Sequence, residues 1–313
     1  MLYYVIINLI LHIDILEAMM NDSKDTEKRK EYPITNDYIF KAVFGKPENI
    51  EFLRDLLPEI LGIPEDELGE IEILNPFIPG EYVDDKSAVL DIKLTTTTGK
   101  IIDVELQAKD HPAVRERMLY YAARLYTGQF NKGDEYSVFK RVVSIVIAGY
   151  HIIPETDQFH TSFMLYDRGN DLLFTDAMQI HALDLTLLDG VLLSSGNSKL
   201  ISWLRLIRAK GISEMTEIAR NNPEIPAMEK AVNIVRKINQ DEIERMRAEA
   251  VEKREFDEWW NLHFVKVEGI AEGLERGLEQ ANIEAARRMK AKGYPAADIA
   301  DITGLSERII NNL

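Results

Sequence analysis

Near the start of the chain, apolar side chains recur three and four positions apart, which is the spacing of one face of a helix. This pattern over residues 35–61 predicts two helices. Thr35 or Asn36 is suited to cap the first helix, and Gly45 ends it. The second helix is predicted from about Pro47 to Leu61, before a glycine and a proline that stop it.

Further along, the period changes to two, which is the spacing of a strand with one buried face. The alternation predicts three strands, at Ile71–Asn75, Ala88–Thr95 and Lys100–Ala108. A helix then begins at about Pro112 and ends in the glycine-containing stretch 128–133.

A continuous run rich in β-branched residues, YSVFKRVVSIVIAGY, occupies residues 136–150 and predicts a strand buried on both faces. Two more strands are predicted at Phe159–Tyr166 and Ile180–Asp184. This order of elements indicates an α/β or α+β core that ends near residue 190. Beyond residue 195 the pattern is helical and charged, which predicts a helical C-terminal extension.

Composition is that of an ordinary globular protein, with 46% apolar and 29% charged residues over 313 positions. The chain has no cysteine, which excludes disulfides and thiolate metal sites and suits the reducing environment of the cytoplasm. The net charge of −16 argues against unspecific binding of nucleic acid through the overall field, but it allows a local basic groove.

The first twenty residues contain the apolar run LYYVIINLIL. This run of ten residues is too short for a bilayer, which needs about 20, and it lacks the flanks of a secretory signal. We interpret it as a leader upstream of a start at Met19 or Met20; the alternative is a short packing or membrane-surface helix. No stable membrane association is expected, and residues 1–32, leader and charged linker, are predicted to lie outside the fold.

The strands on either side of the sequence TTTTGK can pair as a hairpin. A three-residue loop at Thr97–Gly99 places glycine at the left-handed position that such loops favour, and Thr96 then faces Lys100. In this register Asp91 lies directly opposite Glu105. A two-residue loop would change the parity and put the two acids on opposite faces.

Further polar residues share this predicted face. Lys93 lies opposite Asp103, and Gln107 lies two positions after Glu105 on the same strand. Opposed carboxylates repel unless a cation or a proton lies between them, and hard oxygen ligands suit Mg²⁺. The alternative is a surface strand face on which the acids are hydrated. The other face of the hairpin is apolar and is predicted to pack against a helix: Leu90, Ile92, Leu94, Ile102, Val104 and Leu106.

Three stretches together resemble the PD-(D/E)xK nuclease family of transposases, also called recombination-promoting nucleases. They are the hairpin LDIKL…GKIIDVELQ, the preceding TNDYIFKAVFGKPEN and the following RERMLYYAARLYTGQF. The resemblance covers residues 33–205, and the C-terminal stretch ARRMKAKGYPAADIADITGLSERIINNL extends it to the end of the chain.

The resemblance implies a restriction-endonuclease-like fold, with a central mixed sheet flanked by helices, that cleaves double-stranded DNA with Mg²⁺ or Mn²⁺. Asp91 and Glu105 match the two acids of the motif and would hold the metal. Gln107 stands where the wider superfamily has lysine, although members of this family often have glutamine there. Because glutamine orients water or phosphate only through hydrogen bonds, Lys93 or Lys109 is a candidate for the missing cation.

On the helix after the hairpin, Arg117, Tyr121 and Arg124 share one face. Residues 111–141 carry six basic and three acidic side chains, a local reversal of sign in an acidic chain. This favours contact of the arginines and the tyrosine with DNA phosphates. The alternative is an ordinary surface helix whose apolar residues, Leu119 among them, pack inward.

Two further sets of polar residues leave alternatives open. Asp37, near the start of the first helix, is either an additional acid of the site or an acid favoured by the helix dipole. The six histidines show neither metal spacing nor an acid partner nearby, and we interpret them as structural.

The C-terminal third predicts a helical connector at residues 206–281 and a small helix-turn-helix-like tail at 282–313, after the nuclease-like domain at 33–205. Gly269, Gly273 and Gly277 form a stripe on one helix face, which indicates either close approach of another helix or a poorly formed connector. From residue 296 onward the tail has one arginine against three acids, unlike a helix that enters a major groove. We therefore expect packing or homo-oligomer contacts through the C-terminal helices.

Two functions follow as hypotheses. The first is a metal-dependent DNA endonuclease of the cytoplasm that acts in recombination or transposition. The second is a catalytically weak or inactive module that keeps the nuclease fold and binds DNA or protein.

Overall fold

A computed structural model of the chain describes residues 29–78, 88–129, 133–135, 139–191 and 198–313. The predicted leader and most of the charged segment after it lie outside these residues. Two compact units are present, of which one spans Lys30–Phe256 and the other includes Asp257–Leu313. Within the described residues, no helix has both the length and the apolar character needed to cross a bilayer. The domain boundaries drawn from the sequence stay predictions.

The two helices predicted before the first strand are present. Helix α1 spans Asp37–Phe44, and α2 spans Ile50–Leu61 after a 3-10 turn at Pro47–Asn49. The side chain of Asn36 caps α1 by accepting a hydrogen bond from the Ile39 N–H at 3.3 Å. The cap satisfies one of the N–H groups that have no partner inside the helix.

The elements that follow are, in chain order, α3 Glu65–Leu68, β1 Ile71–Leu74, β2 Phe77–Ile78, β3 Ala88–Val89, β4 Ile92–Thr96, β5 Lys100–Gln107, α4 Val114–Thr127, β6 Arg141–Ala148, β7 His160–Asp167 and β8 Leu172–Asp184. Six strands form one sheet in the order β1-β4-β5-β6-β8-β7, and β2 pairs with β3 separately. The pairs β5–β6 and β6–β8 are parallel, whereas β1–β4, β4–β5 and β7–β8 are antiparallel. The predicted mixed sheet flanked by helices is confirmed.

The β4–β5 hairpin has the predicted three-residue turn. Gly99 takes a left-handed backbone with φ of 84°, and its N–H donates to the Thr96 carbonyl at 3.1 Å. The strand register pairs Ile92 with Val104 and continues through the pair of Lys93 with Asp103. The predicted parity is therefore confirmed, and it sets which side chains share a face.

The strand predicted at Ala88–Thr95 is interrupted, because a bend at Asp91 separates β3 from β4. Leu90 consequently packs with Ala122 and Leu125 of α4. Its predicted place on the apolar face beside Ile92 was wrong. A bend changes the side-chain alternation, which period-two reasoning assumes to be unbroken.

The sheet lies between two helical layers. One face packs against α1 and α2, together with α5 at Ser198–Arg208, α6 at Ile212–Arg220 and α7 at Pro226–Gln240. The other predicted apolar residues of the hairpin belong to this core: Ile92, Leu94, Ile102, Val104 and Leu106. Helix α4 covers the opposite face. Strand β6 is buried on both sides, as its β-branched sequence predicts.

Strand β8 begins eight residues earlier than predicted, at Leu172 instead of Ile180. The additional part pairs with β7 and carries exposed apolar side chains. The alternation that reveals a half-buried strand is absent there, because neither side of this part is covered.

The helical extension continues with α8 at Glu242–Ala291. The glycine stripe lies inside this single continuous helix. A Cβ placed at any of the three glycines would meet no atom within 4 Å. The stripe therefore gives no support to close approach by another helix of the described chain.

Two short helices follow α8 in the C-terminal tail. Helix α9 spans Ala296–Thr303 and α10 spans Glu307–Asn312, with Ser306 at the N-cap position of α10. The end of α8 and these two helices share a small buried cluster of Ala286, Ile299 and Ile310.

Candidate functional site

Asp91 and Glu105 meet at the open end of the β4–β5 hairpin, where the chain bends before β4. The backbone N–H of Asp91 donates to Glu105 Oε1 at 2.9 Å. In return, the N–H of Leu106 donates to Asp91 Oδ2 at 2.8 Å. These reciprocal hydrogen bonds hold each carboxylate against the partner strand, so both acids are positioned by backbone groups instead of by flexible side chains.

Asp103 adds a third carboxylate on the same face of β5. It is fully buried, and the Ser144 hydroxyl on β6 donates to its Oδ2 at 2.9 Å. Its Oδ1 is buried without a hydrogen-bond partner in the described structure. The sequence contained a signal for this residue, since Asp103 alternates with Glu105, but the site prediction used it only as the partner of Lys93.

Lys41 of α1 neutralises part of this acidic cluster. Its Nζ lies 2.8 Å from Asp91 Oδ1 and 2.8 Å from Asp37 Oδ1. One ammonium thus bridges an acid at the start of α1 and an acid of the hairpin. Asp37 is therefore connected to the site through Lys41. Its position at the start of the helix alone did not favour this alternative over a role with the helix dipole.

Burial and mutual repulsion act together on the three hairpin carboxylates. Burial raises the pKa of Asp91, although Lys41 opposes the shift. Burial raises the pKa of Asp103 to about 7, although the Ser144 hydrogen bond opposes the shift. For Glu105, burial is again the largest cause, and the charges of Asp103 and Asp91 raise its pKa further. Acids in this state favour a cation close by.

The donor set fits a hard divalent metal that takes only a few ligands from the protein. One carboxylate oxygen of Asp91 and one of Glu105 each accept a backbone N–H. Paired carboxylates suit Mg²⁺, which takes one or two of them and completes its shell with water and substrate phosphate. A cage built wholly from protein does not fit, because the described residues contain no group of three or more acids, histidines or cysteines arranged to hold a metal.

The remaining predicted residues lie at different distances from the acid pair. Gln107 is the last residue of β5, two positions beyond Glu105, and its carbonyl accepts the Gly149 N–H at 2.9 Å. Lys93 faces Asp103 across the hairpin. Lys109 instead lies with its Nζ 5.2 Å from the ring centre of Phe256. The ammonium that contacts Asp91 belongs to Lys41, which the sequence argument missed.

Helix α4 brings Arg117 and Tyr121 toward the carboxylates. The guanidinium of Arg117 lies 5.9 Å from the ring centre of Tyr121, and its positive charge lowers the pKa of Glu105 against the larger effect of burial. The Nε of Arg117 is buried and has no hydrogen-bond partner in the described structure. The DNA-binding role of Arg124 stays a prediction, and Leu119 is 52% exposed instead of packed inward.

Other basic residues of the same region are neutralised by acids. Arg115 pairs with Glu155 at 2.7 Å, and Arg141 pairs with Asp176 at 2.8 Å. The local positive charge counted from the sequence is therefore partly cancelled by residues that are distant along the chain.

The first part of α8 also reaches the site. Asn36, next to α1, donates from Nδ2 to the Ala248 carbonyl at 2.9 Å, and an Arg254 nitrogen lies 4.0 Å from Asp37 Oδ2. Burial raises the pKa of Glu255 to about 7, and the charge of Asp37 adds to the effect. No local pattern could have predicted these contacts, which join residues about two hundred positions apart.

Of two histidine contacts, one corrects the interpretation that no acid lies near a histidine. His151 Nδ1 lies 2.8 Å from Asp184 Oδ2. His160 Nε2 lies 3.0 Å from His181 Nδ1. Neither pair belongs to a metal-binding group among the described residues, and the structural interpretation of the histidines stays a prediction.

A mixed sheet with two acids paired across an antiparallel hairpin defines the class of restriction-endonuclease-like nuclease folds. Residues 34–263 match the model of the PD-(D/E)XK nuclease family transposases, and the chain therefore belongs to this family. The match includes the start of α8, which contacts the site. Searches of curated proteins and of solved structures find no match.

Proposed function

We propose that the chain is a divalent-metal-dependent endonuclease that hydrolyses phosphodiester bonds of double-stranded DNA in recombination or transposition. One observation carries this proposal: Asp91 and Glu105 are held together by reciprocal hydrogen bonds in a buried acidic site. Membership of the nuclease family supports the same chemistry. The cytoplasmic location stays a prediction.

Asp91 and Glu105 would hold Mg²⁺ or Mn²⁺ through their carboxylate oxygens. When bound, such a metal lowers the pKa of its water and offsets charge that develops on the phosphate. Gln107 would orient the attacking water through its amide, because an amide donates and accepts hydrogen bonds but carries no charge.

Lys41 is better placed than Lys93 or Lys109 to supply the cation that the glutamine lacks. Its ammonium already contacts Asp91 at 2.8 Å, and α1 positions it through a second contact with Asp37. Burial alone would lower the pKa of Lys41, but Asp91 and Asp37 outweigh burial and raise it, so the side chain stays charged.

DNA would approach along α4, where Arg117 and Tyr121 lie next to the carboxylates and Arg124 is one turn further on. Arg117 would contact the phosphate backbone near the scissile bond, because a partly buried guanidinium is well suited to a phosphate. Contacts of this kind position the duplex without reading its sequence.

The first test measures nicking of supercoiled plasmid by purified protein with Mg²⁺ or Mn²⁺. Asp91→Ala is expected to reduce cleavage by at least about a hundredfold, because one of the two metal-binding carboxylates is lost. Asp189→Ala is the matched control, since Asp189 is an exposed acid paired with Arg208 far from the hairpin.

The same assay separates the proposal from a nuclease fold that only binds. Gln107 in place of lysine is the observation that favours the weak or inactive alternative. Absence of cleavage with either metal, or cleavage that is unchanged by Asp91→Ala in a protein with an intact melting transition, would establish that alternative.

A further inference from the structure

The carboxyl ends of β5, β6 and β8 meet at one edge of the sheet, because these three strands run parallel to one another. The strand register places Gln107, Ala148 and Asp184 in one row across them. Neighbouring strands lie about 4.8 Å apart, so roughly 10 Å separates the backbone of Asp184 from that of Gln107. The edge that carries the candidate site therefore continues for two more strands, as far as Asp184.

Asp184 also lies on the same face of the sheet as the candidate site. On β5, Leu106 packs into the core on the side of α1, so Glu105 and Gln107 lie on the α4 side. On β8, Leu183 packs into that same core, so Asp184 lies on the α4 side as well. A duplex that reaches Glu105 from the α4 side would therefore pass the end of β8.

The loop after β6 brings a histidine to this row. The Gly149 N–H donates to the Gln107 carbonyl at 2.9 Å, and a Cβ on Gly149 would lie only 2.7 Å from the Ala108 carbonyl oxygen. The loop can approach the end of β5 this closely because glycine has no side chain. Two residues later, His151 Nδ1 lies 2.8 Å from Asp184 Oδ2.

Asp184 fixes the orientation of the His151 imidazole. The Asp184 side chain is only 4% exposed, and its Oδ1 accepts the Thr186 N–H at 2.8 Å. A carboxylate held in this way accepts a hydrogen bond from Nδ1–H and leaves Nε2 directed away from it. Because Nδ1–H is committed to the carboxylate, Nε2 can donate to an external anion only when the ring is protonated. The His151 side chain is 37% exposed, so such an anion can reach it.

The charged groups around His151 come from β8, from its own loop and from α4. Asp184 is the acid of β8, and Glu155 is the acid of the loop. A hydrogen bond from Arg115 of α4 is the largest cause of the lowered pKa of Glu155, and the charge of His151 adds to the effect. The two acids are thus balanced by Arg115 and a protonated His151. A phosphate meets no net negative charge from these four groups, although the chain carries −16.

We propose that protonated His151 donates from Nε2 to a backbone phosphate of the bound DNA. This contact rests on the proposed function, because it extends the path of the duplex from Arg117 along the sheet edge. A separation of roughly 10 Å corresponds to about three nucleotides at 3.4 Å each, so the phosphate is a different one from that at the scissile bond. The contact also couples DNA binding to the uptake of one proton.

The experiment measures the affinity for a short duplex by fluorescence anisotropy in an Asp91→Ala background, which prevents cleavage. At about pH 6, His151→Gln is expected to weaken binding about tenfold and to reduce the slope of log K against log salt by about 0.9, the value of one phosphate contact. At about pH 8 the two proteins are expected to bind alike, because the unprotonated ring has no hydrogen to donate from Nε2. His160→Gln is the matched control, since His160 lies on the last strand of the sheet and faces His181.

His151→Arg gives a second, independent readout. Arginine keeps a positive donor at either pH, so this variant is expected to bind at about pH 8 nearly as well as the parent binds at about pH 6. It remains informative if the glutamine variant fails to fold. Any pH dependence that arises from the buried acids of the hairpin is common to all variants and is removed by the comparison.

Equal affinities of the parent and His151→Gln at about pH 6 would overturn the contact. So would a pH dependence in His151→Arg as large as that of the parent. Failure of the nuclease proposal gives a different result: DNA binding that depends on His151, without cleavage by the wild-type chain in either metal, would keep the contact and assign it to a module that only binds. A chain that binds no duplex at either pH would overturn both.

Discussion

At the level of single residues, Lys41 neutralises part of the negative charge of the Asp91–Glu105 pair. Its ammonium contacts Asp91 and Asp37, while Glu105 accepts the backbone N–H of Asp91 and lies within the influence of the Arg117 charge. Gln107 stands where the resemblance implies a lysine, and the ammonium that contacts Asp91 belongs to helix α1.

Replacing Lys41 tests this arrangement. Lys41→Met is expected to lower the single-turnover cleavage rate at saturating metal by at least tenfold, or about 1.4 kcal/mol of transition-state stabilisation. Lys41→Arg, which keeps the charge, is expected to recover part of that rate. The free energy of unfolding is expected to fall by only about 1 kcal/mol, because solvent screens a side chain that is 38% exposed.

Lys93→Met is the matched control for this comparison, since Lys93 faces Asp103 across the hairpin. Equal losses of rate for both methionine variants, or a loss in Lys41→Met that Lys41→Arg does not relieve, would remove the special role of Lys41.

The same residues show how far local sequence reasoning extends. The Asp91–Glu105 pair was predictable because the turn and the alternation fix which residues of adjacent strands face each other. Lys41 was not, since its contact depends on how α1 packs against the sheet. The position of Glu255 near these acids was still less accessible, because α8 lies about two hundred positions further along the chain.

Among the elements, the β7–β8 hairpin differs most from its prediction. The uncovered part of β8 has no buried face, so its pattern carried no signal of a strand. Closer to the core, the same hairpin buries His181 against His160 at 3.0 Å. Burial, with a smaller contribution from His160, lowers the pKa of His181 to about 4.

This histidine pair predicts a loss of stability in mild acid. The unfolded chain takes up a proton at the ordinary histidine pKa, whereas folded His181 stays neutral until the pH approaches 4. Stability is therefore complete above the unfolded pKa and falls as the pH drops toward the folded one, by about 2 kcal/mol between pH 7 and pH 5. Urea unfolding at a series of pH values measures this slope.

His181→Gln is expected to flatten the slope, because glutamine does not titrate. His151→Gln is the control, since the His151 imidazole faces the carboxylate of Asp184 instead of another imidazole. A slope that His181→Gln leaves unchanged would assign the acid sensitivity to other groups.

Considered as a whole, the proposed nuclease would have to bring DNA to an acidic site through a field set by a net charge of −16. Long-range attraction is therefore weak, and affinity must come from a few local cations. Arg115 and Arg117 lie on the same helix and differ in environment. Glu155 neutralises Arg115 at 2.7 Å, whereas Arg117 lies beside the carboxylates with a buried, unpartnered Nε in the described structure.

This difference predicts unequal effects on DNA binding, measured in an Asp91→Ala background that prevents cleavage. Arg117→Gln is expected to weaken binding and to reduce the slope of log K against log salt by about 0.9, the value of one phosphate contact on duplex DNA. Arg115→Gln is expected to leave the slope nearly unchanged, because its charge is already satisfied within the protein. Equal slopes for the two variants would mean that α4 contacts DNA through some other group, and the proposed path of the duplex past Arg117 would then be wrong.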